Sequence, residues 1–425
     1  MTLEQTGDFW LELAHFCASA ALSLRVHLTH RVWCPSRQPR SSPSSMALLY
    51  ILAVTSGLGW ILAAYSFSWI VIAVSTIAPW VLLILVLHHF ARFPPFYTYR
   101  LTHARKGGRL AAPHLLKGVR IHALWAKTMN DPMTDLGLVY DDVEVLCSQS
   151  GGVDRLRGWH VPAAKATAPT CIVCVHGAGR DRRNFLRHTP HLHEAGHGVL
   201  LCDFGEHGIS DGRGWGINYG QRESYEVADM VRYARQELGY EYVVVIGTSM
   251  GAASAIIAAG VHSRNDDSAR IDGLVAENPF ESRLACLRSF GDKLQVHPAI
   301  PFGRVADAAL KEAVLRATFF LLRRSDPVMP PGEPKDVIEA ISPRPVLLLH
   351  GTDDALLAIE HSHNLHAAAK APKDLWIAEG AVHTAIYDAH PEEWQRRFVY
   401  LAVLPSTASS CILTSNFCLF FVVQV

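Results

Sequence analysis

A serine attacks a carbonyl only if a base takes its proton, a third group orients that base, and backbone donors receive the charge that develops. Residues of these types fall in workable order along this 425-residue chain. Ser249 sits in Gly247-Thr248-Ser249-Met250-Gly251, directly after Val243-Val244-Val245-Ile246 and before Ala252-Ala253-Ser254. The β-branched run predicts a buried strand, and the small residues beyond it predict the start of a helix. So tight a turn forces the serine into a strained backbone conformation and leaves room only for glycine at 247 and 251. The hydroxyl is then presented at a strand's C-terminal edge, beside the positive end of a helix.

The order expected for such an arrangement is serine, acid, histidine. Pro345-Val346-Leu347-Leu348-Leu349-His350 reads as a buried strand ending in Gly351-Thr352-Asp353-Asp354, and Leu375-Trp376-Ile377-Ala378 leads into Glu379-Gly380-Ala381-Val382-His383. His383 is the candidate base. Asp354, three residues past Gly351, is the preferred acid, with Asp353 and then Glu277, after the strand-like Leu274-Val275-Ala276, as alternatives. The backbone donors would be the N–H of Met250, next to the serine, and the N–H of Ala178. Ala178 lies in His176-Gly177-Ala178-Gly179-Arg180, where a strand over Cys171-Ile172-Val173-Cys174-Val175 opens into a loop.

From about Gly137 to Ala402 the chain resembles the α/β-hydrolase superfamily of serine hydrolases. It is similar within it to monoacylglycerol-lipase-like and serine-aminopeptidase-like (S33-type) enzymes and to the membrane-anchored Bem46-type hydrolases. The resemblance is carried by His176-Gly177-Ala178-Gly179, Asp203-Phe204-Gly205-Glu206-His207-Gly208-Ile209-Ser210-Asp211-Gly212, Gly247-Thr248-Ser249-Met250-Gly251, His350-Gly351-Thr352-Asp353-Asp354 and Gly380-Ala381-Val382-His383. It implies an α/β-hydrolase fold, a mostly parallel sheet flanked by helices with a small helical cap at about 280–343. It further implies a triad of Ser249, Asp354 and His383, oxyanion donors at Ala178 and Met250, and neither cofactor nor metal. Gly205-Glu206-His207 departs from the family's Arg-Gly-His and puts a structural arginine contact in doubt.

The elements that must position these residues are legible around them. Asp141 to Leu146 and Leu156 to Pro162 alternate like antiparallel strands, and Val199-Leu200-Leu201-Cys202-Asp203 reads as a buried one. Gln221 to Leu238 has helical spacing. Asp211 reads as a loop organiser. Between Phe280 and Pro343 the pattern breaks, with apolar and basic Leu315-Arg316-Ala317-Thr318-Phe319-Phe320-Leu321-Leu322-Arg323-Arg324 ahead of a proline-rich turn. That stretch is either a cap helix whose arginines meet anionic lipid headgroups or an ordinary core-packed helix.

Lys and Arg total 39, as do Asp and Glu, so the chain has no net charge and no electrostatic footprint for nucleic acid. Nine cysteines do not read as a disulfide framework, and Cys171 and Cys174, three apart on a strand, point to opposite faces. Histidines at 188, 191, 193 and 197, and at 361, 363 and 366, lack a zinc-site pattern and read as solvated helix faces.

Met46 through Phe90 runs 45 residues without one Asp, Glu, Lys or Arg. One crossing needs about 20 apolar residues. The segment therefore predicts a transmembrane helical hairpin turning near Tyr65-Ser66-Phe67-Ser68-Trp69, with a single span over Trp69–His89 as the alternative. Arginines flank both ends, and a hairpin leaves both clusters in the cytosol. The expected organisation is an N-terminal region and linker (1–45), a membrane segment (46–90), a connector (91–136), a catalytic domain (137–403) and an apolar tail (404–425). The expectation for function is an integral membrane serine hydrolase with a cytosolic catalytic domain, acting on esters or thioesters of membrane lipids or acylated small molecules. A peptidase-like enzyme and a non-catalytic scaffold are the alternatives.

Overall fold

The computed structural model describes residues 129–147, 154–165, 169–293, 303–324, 326–327 and 330–398, together with residue 77. The expected hairpin, its single-span alternative, the linker and the tail lie outside the described residues, residue 77 apart. Among the described residues no helix is long and apolar enough to cross a membrane. Every element named below lies in the second of two units, 87–425.

Eight strands, β1 Asp141–Leu146, β2 Arg155–Val161, β3 Thr170–Val175, β4 Gly198–Cys202, β5 Tyr242–Thr248, β6 Gly273–Glu277, β7 Val346–Gly351 and β8 Lys373–Ala378, form one sheet. Their order is β1-β2-β4-β3-β5-β6-β7-β8. β1–β2 and β2–β4 pair antiparallel, and every pair from β4–β3 to β7–β8 is parallel. A parallel sheet must be covered on both faces, which is why its central strands are apolar throughout instead of alternating with polar residues. Successive side chains still divide between the faces. Cys171, Val173, Val243, Val245, Leu274 and Leu348 join one apolar cluster, while Ile172, Cys174, Val244, Ile246, Val275 and Leu349 join the other. Cys171 and Cys174 thus lie on opposite faces as free thiols.

Five helices of eight residues or more are described: α1 Glu223–Gln236, α2 Met250–Ile257, α3 Arg283–Lys293, α4 Gly303–Arg323 and α5 Glu360–Ala368. In α1, Val227, Met230, Val231 and Ala234 recur at helical spacing and are buried in the first cluster, with Ala252, Ala255 and Ile256 of α2. Phe185, Leu192, Ile386 and Trp394 cover the opposite face.

Helices α3 and α4 follow β6 where the sequence pattern breaks, and they pack on each other. One buried arginine ties both ends of this excursion to the main body. Arg283 donates to Asp326 Oδ1 at 2.5 Å, to Glu333 Oε1 at 2.9 Å and to Asn218 Oδ1 at 3.2 Å. Asn218 closes the cluster by donating to Asp326 at 3.0 Å, and its own N–H is held by Glu223 at the start of α1.

Candidate active site

Ser249 occupies the turn between β5 and α2 with φ 54° and ψ −117°, the left-handed half of the map that a β-substituted residue enters only under constraint. The constraint is visible in its neighbours. A Cβ on Gly247 would lie 2.5 Å from the Gly251 backbone, and one on Gly251 would lie 2.3 Å from the Val175 carbonyl oxygen. The Ser249 N–H is taken by the Glu277 carbonyl at 2.8 Å.

Parallel register brings the remaining residues to the same rim. Val175 stands opposite Gly247, Thr248 opposite Glu277, and Gly351 opposite Ala378, so the loops after β3, β5, β6, β7 and β8 leave the sheet at one edge. On the acid side, His383 Nδ1 lies 2.7 Å from Asp354 Oδ2. Because a carboxylate only accepts, this nitrogen carries the hydrogen, and Nε2 is left to serve as a base. Asp354 also accepts from Asn278 Nδ2 at 2.8 Å and from the N–H groups of Leu356 and Leu357 at 2.8 and 2.9 Å. His350 Nε2 faces two acceptors, Leu357 O at 3.3 Å and Asp354 Oδ2 at 3.4 Å, so it too bears hydrogen, while its Nδ1 meets Ser362 Oγ at 2.7 Å. Burial by itself would raise the Asp354 pKa. The facing charge of His383 and the hydrogen bonds from His350 and His383 outweigh it and hold the carboxyl well below the usual carboxylate range.

The last residue of β6 and its successor link serine to histidine. Glu277 holds the Ser249 N–H with its carbonyl and the Ile386 N–H with Oε1 at 3.1 Å. Asn278 donates to Asp354 and accepts the Thr384 N–H, next to His383, at 3.0 Å. Among the described residues no hydrogen bond joins Ser249 Oγ to His383. Such contacts commonly close only with a substrate in place.

On the other side of the serine, the loop after β3 places Ala178 between Gly177 and Gly179. The Ala178 N–H has no acceptor among the described residues. The Met250 N–H belongs to the first turn of α2, whose donors have no partner inside the helix. The structure thus brings Asp354 to His383 and leaves two backbone donors beside the Ser249 turn.

The alternative acids go elsewhere. Glu277 is buried against Ile386 N and does not bond His383, and Asp353 is exposed with Thr352 Oγ1 as its side-chain partner. Asp211 pairs with Arg157 at 2.6 Å, a loop contact. The departure at Gly205-Glu206-His207 has a local use: Glu206 sits at φ 65°, and its carboxylate accepts the N–H groups of Arg213 and Trp215, both at 2.9 Å. The arginine that pairs with buried Asp203 is Arg182, at 2.5 Å.

The reading of the clustered histidines as solvated needs correction at two positions. His188 is buried among Phe185, Tyr387 and Trp394, and His361 is buried against Ser289 Oγ at 3.0 Å. Aromatic packing explains the first, and docking of α5 beside α3 the second. Sequence reasoning missed Asn278 and gave no role to His350 and His207, which it met only within family motifs; His207 accepts the Gly179 N–H at 3.1 Å. For Asn278 a signal existed: an asparagine just past a strand end tolerates the left-handed φ of 47° found there.

A family model described as alpha/beta hydrolase fold matches residues 170–311. The chain is 28% identical over 245 residues to an uncharacterized Bacillus subtilis (strain 168) protein, YqkD, a match covering 57% of this chain and 73% of that protein. It is 24% identical over 249 residues to an uncharacterized Escherichia coli (strain K12) protein, YfhR, covering 58% and 75%. Among solved structures, the Pyrococcus furiosus esterase Pf2001 matches with a TM-score of 0.49 at 21% identity, over 64% of this chain and 94% of that one. The Penicillium alpha/beta hydrolase GrgF matches with a TM-score of 0.47 at 20% identity, over 63% and 98%.

Proposed function

We propose that the chain, whose residues 170–311 match the alpha/beta hydrolase fold model, is a serine hydrolase of that superfamily that cleaves carboxylic esters or thioesters of apolar acyl groups through an acyl-serine. The observation that carries this reading is the Ser249 turn at φ 54°, on the same sheet edge as a His383–Asp354 contact of 2.7 Å. His383 Nε2 takes the Ser249 proton as Oγ bonds to the substrate carbonyl carbon. The N–H groups of Ala178 and Met250 receive the oxyanion. The imidazolium returns its proton to the leaving alcohol or thiol as that bond breaks. Water then gives a proton to the same nitrogen and attacks the acyl carbon, which releases the acid and restores the serine hydroxyl. Asp354 fixes the tautomer and offsets the imidazolium charge.

Two features support an apolar acyl group. Helix α4 carries Phe319, Phe320, Leu321 and Leu322 just ahead of its last residue, Arg323, and the uncharged segment 46–90 is long enough to anchor the enzyme where lipid acyl chains are found. We infer membrane attachment through that segment, with the catalytic part on the cytosolic side.

The test is fluorophosphonate labelling of the detergent-solubilised full chain, with turnover of p-nitrophenyl esters of increasing acyl length. Ser249→Ala is expected to abolish labelling and to lower kcat/KM by about 10⁴-fold or more. Labelling unchanged in Ser249→Ala would overturn the reading. Cleavage of aminopeptidase substrates in preference to every ester would move the enzyme to the peptidase class.

A further inference from the structure

Two buried histidines stand behind the loop that carries Ala178. His176 Nδ1 lies 2.8 Å from the Gly177 carbonyl oxygen, and its Nε2 lies 3.0 Å from the Phe204 nitrogen. His207, on the facing loop, has Nδ1 at 2.9 Å from the Gly205 carbonyl oxygen and Nε2 at 3.1 Å from the Gly179 nitrogen. Each ring donates from Nδ1 to a carbonyl of its own loop and accepts, at Nε2, an N–H of the other. An imidazole that both donates and accepts is neutral, since the protonated ring has no acceptor. The rings meet edge to face, 4.9 Å between centroids.

The peptide that matters joins Gly177 to Ala178. It is planar and trans, so its N–H points opposite to its C=O. His176 Nδ1–H and the Arg180 N–H, the latter at 3.2 Å, both hold that carbonyl, which aims the Ala178 N–H the other way. His207 fixes the next peptide through the Gly179 N–H. The loop lies directly against the nucleophile, for a Cβ on Gly177 would be 3.2 Å from Ser249 Cβ. Behind His207, Glu226 of α1 accepts the Gly205 N–H at 2.8 Å and so anchors the residue whose carbonyl the ring holds.

We propose that His207 is a positioning residue for oxyanion stabilisation: its hydrogen bonds to Gly205 and Gly179, crossed with those of His176 to Gly177 and Phe204, set the direction of the Ala178 N–H toward the carbonyl that Ser249 attacks. The proposal rests on the serine-hydrolase reading. His207 touches no reacting atom and acts through Gly179.

The two rings have different critical nitrogens, and this gives a mirror-image test. In His207→Gln the side-chain oxygen can replace the Nε2 acceptor, whereas His207→Asn keeps only the bond to Gly205. In His176→Asn the amide N–H can replace the Nδ1 donor to Gly177, whereas His176→Gln keeps only the bond to Phe204. The readouts, on the full chain in detergent, are kcat and KM for the best p-nitrophenyl ester and Ki for an alkyl trifluoromethyl ketone, whose adduct places an oxyanion in the site. His207→Asn and His176→Gln are expected to lose about 10- to 100-fold in kcat and in inhibitor affinity, less than deletion of an oxyanion donor, with KM within about threefold. His207→Gln and His176→Asn should stay within about fivefold of the starting enzyme.

The same order of Asn and Gln at both positions would overturn the proposal, as would a change in KM without one in Ki. If either His207 variant fails to fold, the His176 pair alone decides. Ester turnover that survives Ser249→Ala sinks the serine-hydrolase reading and this proposal with it. Turnover lost in Ser249→Ala but unaffected in all four histidine variants sinks this proposal alone.

Discussion

On one side of Ser249, His383 donates to a carboxylate; on the other, His176 and His207 donate only to peptide carbonyls. The side chain is the same and its surroundings are opposite. Beside Asp354 an imidazole can accept a proton, because an ionised carboxylate with three further close donors stands ready to face the new charge. Behind the loop that carries Ala178 burial pushes His207 down and His176 down to about 3, His207 being the next contribution there. Those rings therefore stay neutral and keep the lone pairs that hold the loop. What Nδ1 faces thus sets what each imidazole can do: facing a carboxylate it is able to hold a second proton, and facing a carbonyl it serves as a strut.

The most severe way to break the comparison is Asp354→Asn. The amide can donate where the carboxylate accepted, which reverses the His383 tautomer, and kcat should fall about 10⁴-fold, or roughly 5 kcal/mol of barrier, with folding retained. Steady-state kinetics and a melting curve check both halves. A loss under tenfold would remove the distinction between the two sides.

Next in size is Gly251→Ala, which forces a methyl group onto the backbone of Val175 and His176, where β3 leads into the loop that carries Ala178. It should cost about 3 kcal/mol or more of stability, read from urea unfolding, because the opposing atoms are backbone and cannot rotate away.

A third prediction concerns the buried acid behind His207. Burial pushes Glu226 up to about 8, with the charge of Glu223 adding to the shift and the Gly205 N–H opposing it. The folded value lies above the unfolded one of about 4.3, so the folded protein keeps a proton that the unfolded chain releases. The stability involved is complete below about pH 4 and is lost as pH rises through about 8. Glu226→Gln keeps an acceptor for the Gly205 N–H and cannot ionise. It should therefore gain on the original chain as pH rises, by about 5 kcal/mol at pH 9, with little difference at pH 4. Urea midpoints at three pH values measure it, and a gain on acidification would reverse the assigned sign.

The mildest case is Asn278→Gly, which tolerates the φ of 47° and removes only the side chain. Asp354 and the Thr384 N–H each lose one partner, and kcat should fall about tenfold, near 1.4 kcal/mol.

Much of the acid–base side could be read in the sequence, because its parts are local. A strand, a tight turn and a helix start fix Ser249 within a dozen residues, and Asp354 and His383 each follow a strand end. The parallel strands were legible for the same reason: a strand buried on both faces is an unbroken apolar run. The struts were not legible. His207 meets Gly179, and Asn278 meets Asp354, only because parallel register sets distant loops side by side, and no local pattern records that. The buried states of His188, in the turn before a short helix, and His361, in α5, were hidden likewise, since their tyrosine and serine neighbours arrive from other segments.

Arg283 gives the excursion after β6 a springing point. One guanidinium grips residue 326 beyond the far end of the excursion and residue 333 where the chain rejoins the body, and it stands at the near end itself. Between those footings the described helices α3 and α4 lean on each other like the halves of an arch, so their outward residues can be exchanged while the footings stay set. Change in this part of the chain would then proceed by rewriting the arch and sparing its keystone.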